Sequence, residues 1–139
     1  MRPLLAILVA LSSLLPLAAQ SIALRPGSYE ATMDMEMPGG AKMPPHKATQ
    51  CITADDLKDF SKAFGDPDFA KSCKVSDYKV AGSKLTFSMD CTMDGLRMKG
   101  TTEMTFTSDT FNGVTKTTDD KGRTMVMKTS AKRVGECAK

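Results

Sequence analysis

The sequence predicts a mainly β, disulfide-stabilised single domain, and three observations carry that expectation. Apolar and polar residues alternate over long stretches. Turn-forming Gly, Asp and Ser clusters separate the alternating segments. Four cysteines, Cys51, Cys73, Cys91 and Cys137, follow a leader of the exported type, which places them in an oxidising compartment.

The leader comes first. Met1-Arg2 precedes an apolar run from Pro3 to Leu17 that Ser12, Ser13 and Pro16 interrupt. A bilayer span needs about 20 predominantly apolar residues, so this shorter run reads as a signal peptide over residues 1–21. Small residues bracket the cut between Ala19 and Ala23, and no cysteine near it offers a lipid anchor. The expected location is therefore an oxidising compartment outside the cytoplasm, periplasmic or secreted, with no membrane anchor after cleavage. Residues 22–139 then form one domain. Lysines, arginines and acids are mixed along it, and no basic patch is dense enough to suggest nucleic acid.

From Ser28 the alternation is strict. Tyr29, Ala31, Met33, Met35 and Met37 share one face, and Glu30, Thr32, Asp34 and Glu36 the other, as in a half-buried strand. Pro38-Gly39-Gly40 ends it, residues 41–46 form a loop, and a second strand runs from Lys47 to Ile52. Thr53 then caps a short helix with acids in its first turn. Leu57, Phe60 and Phe64 mark its apolar side, Gly65 stops it, and Asp66-Pro67 starts a further turn over Asp68 to Lys71.

Two strand-like segments, Cys73 to Val80 and Lys84 to Cys91, flank Ala81-Gly82-Ser83, read as a three-residue hairpin loop. Pairing Val80 with Lys84 sets Lys74 opposite Asp90 and Cys73 opposite Cys91, so an opposite-charge pair and a cysteine pair fall into register together. This predicts a Cys73–Cys91 disulfide and leaves Cys51–Cys137 as the second. On the chain-entropy estimate they contribute about 3 and about 4 to 5 kcal/mol respectively. The cysteines are too widely spaced, with too few histidines, to suggest zinc.

Further strands occupy Arg97 to Thr107, Thr110 to Thr118 and Arg123 to Arg133, with turns at Ser108-Asp109 and Asp119 to Gly122. The sum is an antiparallel meander of about seven or eight strands, barrel-like or a sandwich, with one short helix covering it.

Methionine is over-represented, 11 in the chain including Met1. Its period-two placement at Met33, Met35, Met37 and at Met125, Met127 suits an inward face, where flexible thioethers fill gaps between twisted strands. Thioethers also select Cu(I). Met33, Met35, Met37, Met43 and His46 concentrate thioethers and the single imidazole in one segment, which gives an alternative reading as a copper-binding protein. A third reading has the methionines consume oxidant as sulfoxides. Solvent exposure separates the first reading from the others.

No catalytic constellation is evident. His46 lies in a polar, Pro-rich loop without identifiable partners, Asp55 and Asp56 fit a helix start, and Asp119 and Asp120 fit a turn. The phenylalanines sit at core-like spacings rather than among basic residues. The expectation is a non-enzymatic domain without a cofactor that binds a small apolar ligand, held in a methionine-rich barrel mouth, or a periplasmic protein partner.

Several segments resemble one family in their order along the chain. They are Pro26-Gly27-Ser28-Tyr29-Glu30, the strand ending Met37-Pro38-Gly39, Met43-Pro44-Pro45, Gln50-Cys51-Ile52-Thr53 before an acidic helix, the cysteine hairpin, and Arg133-Val134-Gly135-Glu136-Cys137. Together they resemble the bacterial family catalogued as domain of unknown function 3617. The resemblance implies an exported, mainly proteobacterial protein with no established activity, and so supplies no catalytic residues. Where family members often carry Trp, this chain has Tyr29.

Overall fold

Alternation and turn chemistry produce seven strands in the computed structural model, which describes residues 22–60 and 71–138. These are β1 (Gly27–Glu36), β2 (His46–Ile52), β3 (Cys73–Ala81), β4 (Lys84–Met93), β5 (Leu96–Phe106), β6 (Thr110–Asp119) and β7 (Thr124–Gly135). The expected signal peptide over 1–21, Phe64, Gly65, and the turn begun by Asp66-Pro67 fall outside the described residues, except that Lys71 and Ser72 are helical.

The strands form one open antiparallel sheet in the order β2-β1-β7-β6-β5-β4-β3. β3 to β7 are a meander in chain order. β1, the first strand, pairs with the last, Ala31 opposite Ala131 and Met35 opposite Met127, and carries β2 on its other side. The early segment is thereby locked to the end of the chain, and β2 and β3 are the sheet edges.

The β3–β4 hairpin corrects the expected pairing in one respect. Val80 lies opposite Leu85, not Lys84, because the loop has two residues, Gly82-Ser83, with Gly82 at φ +60°. A bulge between Ser76 and Lys79, with Asp77 at φ +54°, then inserts one extra residue into β3. The two offsets cancel, so Lys74 still faces Asp90 and Cys73 still faces Cys91. Cys73 and Cys91 are disulfide-bonded, as are Cys51 and Cys137. The second bridge reaches across β1, since Ser28 pairs with Cys51 on one side and Gly135 on the other.

The helix expected from Thr53 is, among the described residues, a single 3-10 turn over Asp56–Lys58. A reciprocal clamp fixes its start. The Thr53 N–H and hydroxyl donate to Asp56 Oδ2, both at 2.7 Å, and the Asp56 N–H donates back to Thr53 Oγ1 at 3.2 Å. This turn delivers Phe60 onto the sheet, where its ring meets Phe106 and Phe111 edge-on at centroid distances of 5.0 and 5.7 Å.

Ile22, Leu24, Ile52 and Phe60 complete a core with Tyr29, Ala31, Leu85, Phe87, Met104, Phe106, Phe111 and Ala131 from one face of the sheet. That face bends inward where it lacks side chains. A Cβ on Gly100 would lie 2.6 Å from the Lys116 carbonyl oxygen, and one on Gly113 would lie 3.1 Å from Met104 Cγ. Two inward-facing glycines thus let neighbouring strands and side chains close over them and curve the sheet.

Candidate functional site

Burial declines along the inward face toward one end of the sheet. On β4, Leu85 and Phe87 are buried, Met89 is half-buried and Met93 is exposed, with disulfide-bonded Cys91 still buried between the two methionines. On β7, Ala131 is buried while Thr129, Met127 and Met125 are half-buried. On β6, Phe111 is buried while Gly113, Thr115 and Thr117 are half-buried. On β1, Tyr29 and Ala31 are buried while Met33 and Met35 are half-buried. The less buried end forms an apolar groove of about 220 Å³. Seven methionines line it: Met35 from β1, Met89 and Met93 from β4, Met98 and Met104 from β5, and Met125 and Met127 from β7. Threonines 102, 115, 117 and 129 stand between them.

Period-two alternation on five neighbouring strands brings these side chains together, and cross-strand register aligns them. Met35 faces Met127, Met98 faces Cys91, and Met125 faces Thr117. The threonines do not make the floor polar. The Thr102 and Thr115 hydroxyls bond each other at 3.0 Å, and no buried side-chain polar atom among the described residues lacks a partner. Among the described residues, no charged residue lines the groove.

Of the expected metal-binding set, only Met35 lines this groove. Met33 is half-buried opposite His46, the exposed first residue of β2. Met37 follows β1, is 36% exposed, and lines an adjoining hollow with Met98 and Met125. Met43 is 49% exposed, and its N–H donates to the Met35 carbonyl at 2.9 Å. Among the described residues, no three His, Cys, Asp or Glu side chains gather as metal ligands. Sequence reasoning located Met35, Met125 and Met127 on an inward face. It did not assemble Met89, Met93, Met98 and Met104 with them, because that requires the strand order.

Two of the segments that resemble the family, Pro26 to Glu30 and Arg133 to Cys137, meet at the opposite, closed end, whereas Met37, Pro38 and Cys91 border the open one. Arg133 Nε–H donates to the Pro26 carbonyl at 2.9 Å, and the same guanidinium pairs with Glu136. A Cβ on Gly27 would lie 2.6 Å from the Gly135 carbonyl oxygen, so the two segments touch backbone to backbone. The Tyr29 hydroxyl donates to the Arg25 carbonyl at 2.7 Å, and burial pushes its pKa up. Arg25 in turn pairs with Asp109, whose carboxyl its hydrogen bond holds below the ordinary range. This clasp joins the start of β1 to the end of β7.

Fold and groove together define a curved, single-sheet, disulfide-bonded β domain with an apolar concavity at one end. A family model described as "Protein of unknown function (DUF3617)" matches residues 24–137, and the chain belongs to that family. Comparison with curated proteins and with solved structures gives no match.

Proposed function

We propose that this protein is a non-enzymatic periplasmic binding domain that holds a small apolar ligand in its methionine-lined groove. The observation that carries the reading is the contrast in cover along one sheet face. The Phe-rich end lies under Phe60 and the Ile22–Leu24 segment, whereas the methionine end stays partly open among the described residues. A concave apolar surface with few polar groups is the usual form of a small-molecule site. Unbranched thioether side chains suit such a site because they repack around ligands of varied shape.

Copper is the second reading, and its best support is the hollow that Met37, Met98 and Met125 share. The Arg123 guanidinium and Asp119 line the same hollow, and thioethers add no charge of their own. The nearby Asp119 carboxylate is already bonded to that guanidinium. The pair carries no net charge to hold a cation, and its exposed member is the guanidinium.

Fluorescence titration with N-phenyl-1-naphthylamine, a neutral apolar probe, tests the proposal. Met127→Glu, which sets a carboxylate in the groove wall, is expected to weaken binding at least about tenfold. Val114→Glu, on the exposed outer face, is expected to leave it unchanged. Absence of binding to the wild type, or equal effects of the two substitutions in folded protein, would contradict the assignment.

A further inference from the structure

The groove ends at a single charged pair. Thr117 and Met125 are the last inward-facing partners of β6 and β7 in the ladder, and Thr118 pairs with Thr124 beyond them. One step further, the Asp119 N–H donates to the Arg123 carbonyl at 3.0 Å, so Asp119 and Arg123 return to the inward side. Both line the hollow that continues the groove and shares Met98, Thr117 and Met125 with it.

The two charges are unequally committed. The Asp119 side chain is only 8% exposed. Its Oδ1 accepts the N–H groups of Lys121 and Arg123, both at 2.9 Å, and its Oδ2 accepts Arg123 Nε–H at 2.7 Å. Arg123 is 53% exposed and uses only Nε in that contact. Its two terminal nitrogens make no hydrogen bond among the described residues. A planar fork of donors therefore stands free at the mouth of an otherwise uncharged apolar groove.

We infer that the groove's ligand is a single-chain amphiphile with a carboxylate head, its chain among the methionines and its head on the Arg123 guanidinium. This rests on the reading of the groove as an apolar ligand site. Charge complementarity selects an anion, and the two terminal N–H groups match a carboxylate in bidentate geometry. A singly charged head is favoured, because the cost of desolvating an anion against the apolar groove rises with the square of its charge, whereas its attraction to Arg123, already partly offset by Asp119, rises only in proportion. The groove alone, at about 220 Å³, is below the roughly 300 to 1,000 Å³ of common ligand sites and suits one chain rather than two, while the hollow of about 300 Å³ that continues it leaves space for the head.

Isothermal titration calorimetry with dodecanoate, dodecan-1-ol and dodecyl phosphate, each below its micellar concentration, tests the inference. The wild type is expected to bind dodecanoate about fivefold more tightly than dodecan-1-ol, the scale of a partly exposed charge contact. Dodecyl phosphate is expected to bind more weakly than dodecanoate. Arg123→Gln should bring the dodecanoate-to-dodecanol ratio close to one, and Arg123→Lys should restore part of it. Asp119→Asn should raise the ratio, because the amide oxygen retains both backbone bonds while the guanidinium is released. Opposite shifts in these two variants separate recognition of the head from damage to the turn. Equal wild-type affinity for dodecanoate and dodecan-1-ol overturns the head-group assignment and leaves the groove standing. Tighter binding of dodecyl phosphate than of dodecanoate overturns the choice of carboxylate. Failure of all three to bind overturns the groove reading itself.

Discussion

The two ends of the concave face are built by the same strands with the same alternation, yet among the described residues one is closed and the other open. At the closed end Tyr29, Leu85, Phe106 and Phe111 are buried and Phe60 packs on two of the rings. At the open end the inward positions further along each strand are methionine, threonine or glycine, with the disulfide-bonded Cys91. Aromatic rings hold one shape and fix a core, whereas thioethers adapt. The difference teaches that a period-two pattern assigns residues to a face, but residue type and cover decide whether that face serves stability or binding.

The sharpest break in this comparison is expected at the closed end. Replacing both Cys51 and Cys137 with Ser removes the tie across β1, and chain entropy sets the loss at about 4 to 5 kcal/mol. Chemical denaturation should show it as a large fall in midpoint. Phe111→Ala follows, because it opens a cavity beside Tyr29, Phe60 and Phe106, with an expected cost of about 3 to 5 kcal/mol on the same measurement.

At the open end the same experiment should register little. Met125→Leu with Met127→Leu keeps volume and polarity, and the expected change is under about 1.5 kcal/mol. Probe affinity should change more clearly than the midpoint, since branched leucines repack less freely than methionines.

The smallest effect is a pH dependence from the rim. The Arg123 backbone N–H, together with its side chain and the Lys121 N–H, holds the Asp119 carboxyl below its ordinary value against desolvation. Its stabilising contribution is therefore full above the usual carboxylate range near about pH 4. It is lost as pH falls through the lowered folded value. Thermal melts should show the wild type losing its advantage over Asp119→Asn at acid pH, with no such convergence for a neutral control such as Thr118→Ala.

Much of this fold was legible because its signals are local. Strict alternation over Tyr29 to Glu36, the turn at Asp119 to Gly122, and the charge and cysteine matches of the β3–β4 hairpin each lie within a short stretch of chain. The Val80 register was misread because one bulge and one shorter loop offset each other, and only backbone geometry at Asp77 and Gly82 reveals both. The Asp94-Gly95 turn, with both residues at positive φ, likewise sets the start of β5 at Leu96 rather than Arg97. The groove was legible only in part. Met35 and Met127 are distant in sequence, and nothing local announces that β1 pairs with β7. The segments that resemble the family lie at both ends of the sheet, Pro26 and Arg133 in the clasp and Met37, Pro38 and Cys91 beside the groove, so the resemblance does not single out the groove.

The central claim is that the open, methionine-lined end receives an apolar ligand. NMR of protein labelled with 13C at the methionine methyls tests it most directly, with dodecan-1-ol as the titrant. The account predicts saturable shifts of Met35, Met89, Met93, Met98, Met104, Met125 and Met127, with Met33 and Met43 unaffected. Shifts confined to Met33, Met37 and Met43, or no shift at any methionine, would contradict it.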